Sequence, residues 1–377
     1  MKQDRFGFET LTEHLVRAEP DHPILYFNPE TLKRTIDQFQ STFPGLVTFA
    51  VKANPDPTVI ACMAAFGLRG FDVASPQEID LVRTHAPNAV LHYNNPVRSR
   101  REISYAAQAG VASYAVDRFS ELQKLADLIE PKGIELAVRL KLPIDGSAYD
   151  FGEKYGASPE NCVGLLRHAA KLGFIPSMTF HPGTQCREGA SWESYIKTCA
   201  EIARKAGVTL RRLNVGGGYP SQRRQDEDDR LPAIFTRIEI AIQHAFEKRP
   251  ELVCEPGRAM IAEACTLAVR VKSIDEDDVT LNDGVYGGLS EFRDIYPVDR
   301  ITAVNPAADH RRGKAIIRPV FGPTCDSLDT LPGGLSLPAD IEEEDYLLIK
   351  GMGAYVIGIN SRFNGYGAIE TVQVRDA

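Results

Sequence analysis

The chain has 377 residues, 43% of them hydrophobic and 25% charged, a balance that suits a globular protein and excludes disorder, collagen-like repeats and a small disulfide scaffold. That length predicts two domains, or one large barrel with an appendage. The net charge of −8, with no long Lys/Arg block, does not suit a nucleic-acid partner, because neutralising phosphates needs a basic surface.

Residues 1–41 mix charges throughout, so no secretory signal is expected, and no apolar run approaches the roughly 18 residues needed to span a bilayer. From residue 47 to about residue 255, short apolar runs rich in β-branched and aromatic residues alternate with helix-length amphipathic segments. The predicted strands are Val47–Val51, Phe71–Ser75, Val90–Asn94, Ser113–Asp117, Leu136–Leu142, Ser177–His181, Leu213–Gly216 and Leu252–Glu255. Between them, Phe119, Leu122, Leu125 and Leu128 recur every third residue and line one face of a predicted helix. Eight strand-plus-helix units over about 250 residues fit an α/β fold of the (β/α)8 TIM-barrel type, with a doubly wound open sheet as the competing arrangement.

After Met260 the rhythm changes. Cys265–Ile274, Val279–Asn282, Ala315–Phe321, Tyr346–Ile349 and Ile369–Val374 read as strands, but Gly- and Pro-rich connections leave little room for helices. The expected division is a barrel over residues 23–260 and a mainly β C-terminal domain over residues 261–377, joined by residues 1–22. The run Asp226–Arg230 reads as a solvated loop. The cysteines, Cys62, Cys162, Cys186, Cys199, Cys254, Cys265 and Cys325, are odd in number and lack C-x-x-C pairs or a zinc-like His/Cys cluster. Reduced thiols in a cytoplasm, and no metal, are expected.

Barrel enzymes carry their reactive residues at the C-terminal ends of the strands. Those positions hold Lys52, Asp72, Asn94, Asp117, Arg139, His181, Gly216 to Gly218, Glu255 and Arg258, a dense polar ring. Lys52 reads either as a surface lysine or as a Schiff-base lysine, and its stem, leaving a buried apolar strand where desolvation lowers an amine pKa, favours the second. The run from Asn214 to Pro220 reads as a flexible turn or as a phosphate cradle, in which glycines let N–H groups converge and Arg258 adds a forked donor. Glu255 either pairs with Arg258 or keeps a pyridine nitrogen protonated, which would make the ring a strong electron sink. His181 is either an ordinary buried histidine or one stacked on an aromatic cofactor. Cys325, beside Asp326 and Asp329 in a polar loop expected to be exposed, is either inert or a proton donor.

Taken in order, AVKANP, FDVAS, FHPGTQ, NVGGGYP, EPGR, DGVYGG, GPTCDSLD, GAY and FNGY resemble the fold-type III pyridoxal-phosphate decarboxylases, which have an alanine-racemase-like barrel and a β domain. Within that group the chain is similar to the ornithine decarboxylases, from about Pro23 to Val374. The resemblance implies pyridoxal 5′-phosphate bound as a Schiff base to Lys52, with Asp72 near its ring hydroxyl, Glu255 at its pyridinium nitrogen and His181 stacked on its face. Gly216, Gly217, Gly218, Arg258, Thr184 and Tyr355 would hold the phosphate, and Arg139 would lie beside the cofactor. Cys325 would protonate the product carbanion, Asp326 would bind the distal amine of the substrate, and Tyr286 and Asp294 would line the substrate site. Cys325 and Asp326 would come from a partner subunit, which implies an obligate head-to-tail homodimer with two shared sites.

The implied reaction is decarboxylation of a basic L-amino acid, first of all L-ornithine to putrescine and CO2 in polyamine biosynthesis. L-lysine, another diamino acid or a carboxylated polyamine are the alternatives, and an inactive regulatory homologue is the reading from a different class. An acidic loop at Cys325-Asp326-Ser327 speaks against the carboxylate-ended substrate of a diaminopimelate decarboxylase, and Glu255 speaks against a racemase. Two departures from the family pattern stand out. Asp294 falls one residue short of the family's second acid, where Ile295 stands, and Pro182 and Thr184 replace the commoner Val and Ser.

Overall fold

The computed structural model describes residues 9–143, 154–293, 295 and 299–376. Among these the strands run, in chain order, β1 (Ile24–Phe27), β2 (Leu46–Ala50), β3 (Gly70–Val73), β4 (Val90–Tyr93), β5 (Ser113–Val116), β6 (Glu135–Leu140), β7 (Ile175–Phe180), β8 (Arg212–Asn214) and β9 (Glu251–Cys254). They continue with β10 (Cys265–Asp275), β11 (Asp278–Leu281), β12 (Ile301–Val304), β13 (Ala315–Arg318), β14 (Val320–Phe321), β15 (Leu335–Pro338), β16 (Tyr346–Lys350) and β17 (Glu370–Gln373).

Strands β2 to β9 pair in parallel, each with its neighbour in the chain. The last pairs back with the first through Leu46↔Val253 and Val47↔Cys254, which closes an eight-stranded barrel and excludes the open sheet. Short loops lead from strand to helix because capping residues stop them early. Asp56 accepts from the N–H groups of Thr58 and Val59, Ser75 from that of Glu78, and Ser99 forms a capping box with Glu102, while Pro57 and Pro76 open their helices. The predicted strands ran on to Val51, Asn94, His181 and Glu255, whereas pairing stops at Ala50, Tyr93, Phe180 and Cys254. The polar residues therefore sit in the loops just beyond the strands, and Val51–Ala53 forms a 3-10 turn.

The barrel interior is more polar than the apolar runs suggested. Thr48 Oγ1 donates to the Cys254 carbonyl at 3.0 Å, His92 Nδ1 lies 2.7 Å from Ser113 Oγ, and Arg212 pairs with Glu135 at 2.7 Å. A Cβ at Gly70 would stand 2.7 Å from Thr48 Cγ2, so this layer is filled by alternating a side chain with none.

The chain forms two compact units. The barrel unit takes Ile36–Pro220 and Asp229–Ala259, and the β unit takes the stretch up to Thr35, Ser221–Asp228 and the chain from Met260 onward. The barrel was expected to begin at residue 23, but β1 lies in the β unit, in a sheet ordered β12-β16-β10-β1-β17. All four residues of β1 are buried, between β10, with which it runs antiparallel, and β17, with which it runs parallel. A run of this length between Pro23 and Pro29 is too short to announce itself as a strand. The predicted strand Ala315–Phe321 is split at Pro319 into β13 and β14, since proline has no N–H for the ladder. Strands β12 and β15 were not predicted.

The N-terminal helix Leu11–Ala18, closed by the Thr10/Glu13 capping box, lays Leu11 and Leu15 against a core of Ile24, Tyr26, Ala268, Val304, Tyr346 and Val374. Among the described residues no helix is long and apolar enough to cross a membrane. Leu15 is fully enclosed. Leu15→Ala is expected to cost about 2–5 kcal/mol, read as a lowered denaturant midpoint with faster amide exchange in β1 and β10. A cost below that of an ordinary surface substitution would show that the helix does not stabilise the sheet.

Candidate active site

The barrel rim gathers residues from seven strand ends. Lys52 stands in the turn after β2, between the buried Val51 and Ala53, yet its side chain is exposed. This corrects the expectation of a lysine desolvated by its strand: the strand stops at Ala50 and the turn lifts the amine onto the mouth. What surrounds the amine is charge. Lys52 and Arg139, from β6, both act on the carboxyls of Asp72, in β3, and Glu255, just after β9.

Asp72 is buried, and its Oδ1 has no hydrogen-bond partner within the protein. Burial pushes its carboxyl up to about 6, against the pull of Lys52, the Asn94 amides and Arg139. Glu255 is pushed up to about 8, by burial first and then by the charge of Asp72, while the Asn214 amide, Lys52 and Arg139 pull it back. Nearby, Glu78 accepts the Ala74 N–H at 2.7 Å and is raised to about 7, again mainly by burial. His181, directly after β7, is held well below its ordinary pKa by burial and then by Lys52 and Arg139, so the ring is neutral near pH 7. Its Nδ1 accepts the Gly183 N–H at 3.3 Å, which leaves the proton on Nε2.

The triglycine run is fixed by close backbone approaches. A Cβ at Gly216 would lie 2.2 Å from the Phe180 carbonyl oxygen, one at Gly217 2.6 Å from that of Glu255, and one at Gly218 2.3 Å from that of Gly183. Gly216 and Gly218 also need φ of 71° and 84°. The loop is anchored from behind by Trp192, whose Nε1 donates to the Val215 carbonyl at 3.1 Å and whose ring stacks on Tyr219 at 5.1 Å. Thr184 follows Gly183 in the loop after β7, and the buried Arg258 opens the short helix Arg258–Ile261. Asp117 is taken up elsewhere, by Arg118 at 2.7 Å and the Gly156 N–H at 3.0 Å.

The β unit assembles a second group. Cys325 is exposed, and its N–H donates to Asn364 Oδ1 at 3.0 Å. Asp326 accepts from the Tyr286 hydroxyl at 2.6 Å and from the Leu328 N–H at 3.0 Å, bonds that lower its carboxyl pKa. Asp329, expected in an exposed loop, is buried instead: its oxygens accept from the N–H groups of Val285, at 2.9 Å, and Thr324, at 3.1 Å. Asp283, also buried, accepts the Gly288 N–H at 2.9 Å and is raised to about 7, chiefly by burial. Asp329 ties the DGVYGG and GPTCDSLD loops together, and Asp283 braces the DGVYGG loop from within. Tyr355 belongs to the same unit, on left-handed backbone at φ 63°. Asp294 lies outside the described residues.

Sequence reasoning missed the roles of Asn94 and Asn214 on Glu255, of Asn364 on the Cys325 loop, and of Asp283. Each carried a positional signal, Asn94 in the polar ring and Asn214, Asp283 and Asn364 within NVGGGYP, DGVYGG and FNGY, but none pointed to these partners. Among the described residues no group of three or more His, Cys, Asp and Glu side chains is placed to hold a metal ion.

A barrel mouth with a lysine, two buried carboxylates, a neutral histidine and a glycine cradle, in a chain that also forms a β unit, defines a pyridoxal-phosphate enzyme of the alanine-racemase-like class. Residues 30–262 match the family model described as pyridoxal-dependent decarboxylase, pyridoxal binding domain. The chloroplastic ornithine decarboxylase of Nicotiana glutinosa is 33% identical over 88% of this chain and 79% of its own length. A protein named antizyme inhibitor 2, from Xenopus laevis, is 30% identical over 87% of this chain and 76% of its own. The structure of the lysine/ornithine decarboxylase from Vibrio vulnificus complexed with putrescine superposes with a TM-score of 0.80 at 25% identity, covering 96% of this chain and 97% of that one. The chain belongs to the pyridoxal-dependent decarboxylase family and is ornithine decarboxylase-like.

The rim fits that cofactor. Asp72 presents a buried oxygen with no partner, the glycine run brings backbone without side chains to the rim, and Lys52 and Arg139 face two carboxyls. The protein is thus a pyridoxal-phosphate-dependent decarboxylase of a basic amino acid.

Asp72 and Glu255 are both raised above ordinary carboxylate values, so between about pH 4 and pH 8 the folded protein holds protons that the unfolded chain releases. Stability of the cofactor-free protein therefore falls as pH rises through that window. Glu255→Gln is expected to shrink the fall in denaturant midpoint between about pH 5 and pH 8. An unchanged fall would mean that Glu255 ionises there like an exposed carboxyl.

Proposed function

We propose that the enzyme decarboxylates L-ornithine to putrescine and CO2, in polyamine biosynthesis in the cytoplasm. The observation that carries this reading is Asp326, held as an anion by Tyr286 and Leu328 beside the exposed Cys325. A carboxylate stabilised in this way suits a distal ammonium group and repels a distal carboxylate.

When bound, pyridoxal 5′-phosphate supplies an electron-withdrawing ring that takes up the electron pair left as CO2 departs. Lys52 would hold it through Nζ. Glu255 would keep its ring nitrogen protonated, and Asp72 would serve the ring hydroxyl. Neutral His181 would lie against the ring without adding a positive charge that competes with the ring nitrogen for Glu255. Gly216, Gly217, Gly218, Thr184, Arg258 and Tyr355 would hold the phosphate, with Arg139 alongside. Cys325 delivers the Sγ proton to the substrate Cα after the carboxylate has gone. Tyr286 orients Asp326 toward the distal amine.

Cys325 and Asp326 act, in this reading, on the barrel of a second copy of the chain, so that a homodimer carries two shared sites. Lysine is the second reading, favoured by the likeness to a lysine/ornithine decarboxylase. One methylene is worth only about 1–3 kcal/mol in selectivity.

CO2 release should be measured with L-ornithine, L-lysine and meso-diaminopimelate in parallel. Release from ornithine is expected to exceed that from the others and to vanish in Lys52→Ala. Asp326→Ala is expected to lower kcat/KM for ornithine roughly tenfold to hundredfold, mainly through KM. Mixing inactive Lys52→Ala with inactive Cys325→Ala protein is expected to restore part of the activity. Silence on all three substrates in cofactor-loaded protein would sink the substrate assignment, and no recovery on mixing would sink the shared site.

A further inference from the structure

Two neutral amides grip one oxygen of Glu255. Asn94 Nδ2, from the loop after β4, and Asn214 Nδ2, at the end of β8, both donate to Glu255 Oε1, so three strand ends meet on a single carboxylate oxygen. Each amide is itself fixed. Asn214 Oδ1 accepts the Gly216 N–H at 2.9 Å, which decides that its NH2 end faces Glu255. Asn94 sits between two residues whose carbonyls are held by the fully buried Arg98: Nη1 donates to Asn95 O at 2.6 Å and to Tyr93 O at 3.3 Å. The other arm of that guanidinium donates to Ala115 O at 2.6 Å, tying the Asn94 loop to β5.

Glu255 has reason to be neutral. Burial and the nearby Asp72 both favour its protonated form, and two amide donors on one oxygen favour the ionised form. Amides do this without bringing a positive charge. A lysine or arginine in the same place would neutralise Glu255 and compete with a cationic ligand for it.

We propose that Asn94 and Asn214 are positioning residues that hold Glu255 as an oriented carboxylate, with Oε1 taken by the two amides and Oε2 presented to the protonated ring nitrogen of the cofactor. The proposal rests on the reading that Glu255 serves that nitrogen. Asn94 has a further task, because its backbone and side-chain amides also act on Asp72. It thereby bridges two carboxyls that repel one another.

The test compares Asn94→Ala, Asn214→Ala and Glu255→Gln, singly and with each asparagine change combined with Glu255→Gln. The readouts are the affinity of cofactor-free protein for pyridoxal 5′-phosphate and the pH titration of the bound cofactor's visible absorbance. Each asparagine variant is expected to weaken cofactor affinity roughly tenfold to hundredfold and to move the titration to lower pH, since the ring nitrogen loses an anionic partner. In the Glu255→Gln background the same changes are expected to move the titration no further, while Asn94→Ala keeps only the affinity cost of its contacts with Asp72 and Asn214→Ala only that of the glycine loop. Asn214→Ala also removes a support of the glycine loop, so Asn94→Ala is the decisive variant, and Asn94→Ser, which keeps one donor, is expected to fall between it and the unsubstituted protein. A shift in Glu255→Gln with none in folded Asn94→Ala would overturn the clamp alone. A full Asn94→Ala effect persisting in the Glu255→Gln background would overturn it too. No shift in Glu255→Gln itself would overturn the ring-nitrogen reading, and the clamp with it.

Discussion

Everything at the barrel mouth depends on the pairing of β2 with β9. That parallel register sets Leu46 and Val47 beside Val253 and Cys254, and so brings Lys52 and Glu255, far apart in the chain, onto one rim. The strands contribute their polar residues at or just past their C-terminal ends, Asp72, Arg139 and Asn214 within the ladder and Lys52, Asn94, His181 and Glu255 beyond it. The loops that follow are then stopped by helix caps such as Asp56 and Ser75. The site is therefore a property of barrel closure, and no single segment contains it.

Bringing those ends together creates an electrostatic conflict. Two buried carboxyls of like charge, Asp72 and Glu255, share the rim with Lys52 and Arg139, and each is raised well above its ordinary range in the protein alone. Such an arrangement is unfavourable for the fold and favourable for a cationic, phosphorylated aromatic ligand, which would satisfy the orphaned Asp72 oxygen and give Glu255 a cationic partner beside its two amides. His181 resolves its own part of the conflict by remaining neutral, since burial and two nearby cations oppose its protonation.

The β unit uses the same residue type in two ways. Asp283 and Asp329 are buried and act as scaffolding: their carboxyls accept backbone N–H groups, and Gly284, Gly287 and Gly322 leave them room. Asp326, three residues before Asp329, stays at the surface and is kept anionic by Tyr286. Position relative to the loop backbone decides which aspartate is enclosed as scaffolding and which stays at the surface.

The sequence alone determined the alternation of strands and helices from residue 47 onward, the polar ring at the strand ends and the order of the motifs, because each depends on local periodicity or on a contiguous run of residues. That much carried the barrel, the cofactor and the reaction class. What only the tertiary structure decided is what depends on partners distant in the chain. Strand β1 reads as nothing in particular until β10 and β17 flank it. Asp329 looks solvated until the Val285 and Thr324 amides converge on it, and Lys52 looks desolvated until its strand is seen to stop short. Asn94 and Asn214 carry no signature as amides on Glu255, because that role exists only where three strand ends meet, and hydrogen-bond geometry across a barrel is not written in any one stretch of the chain.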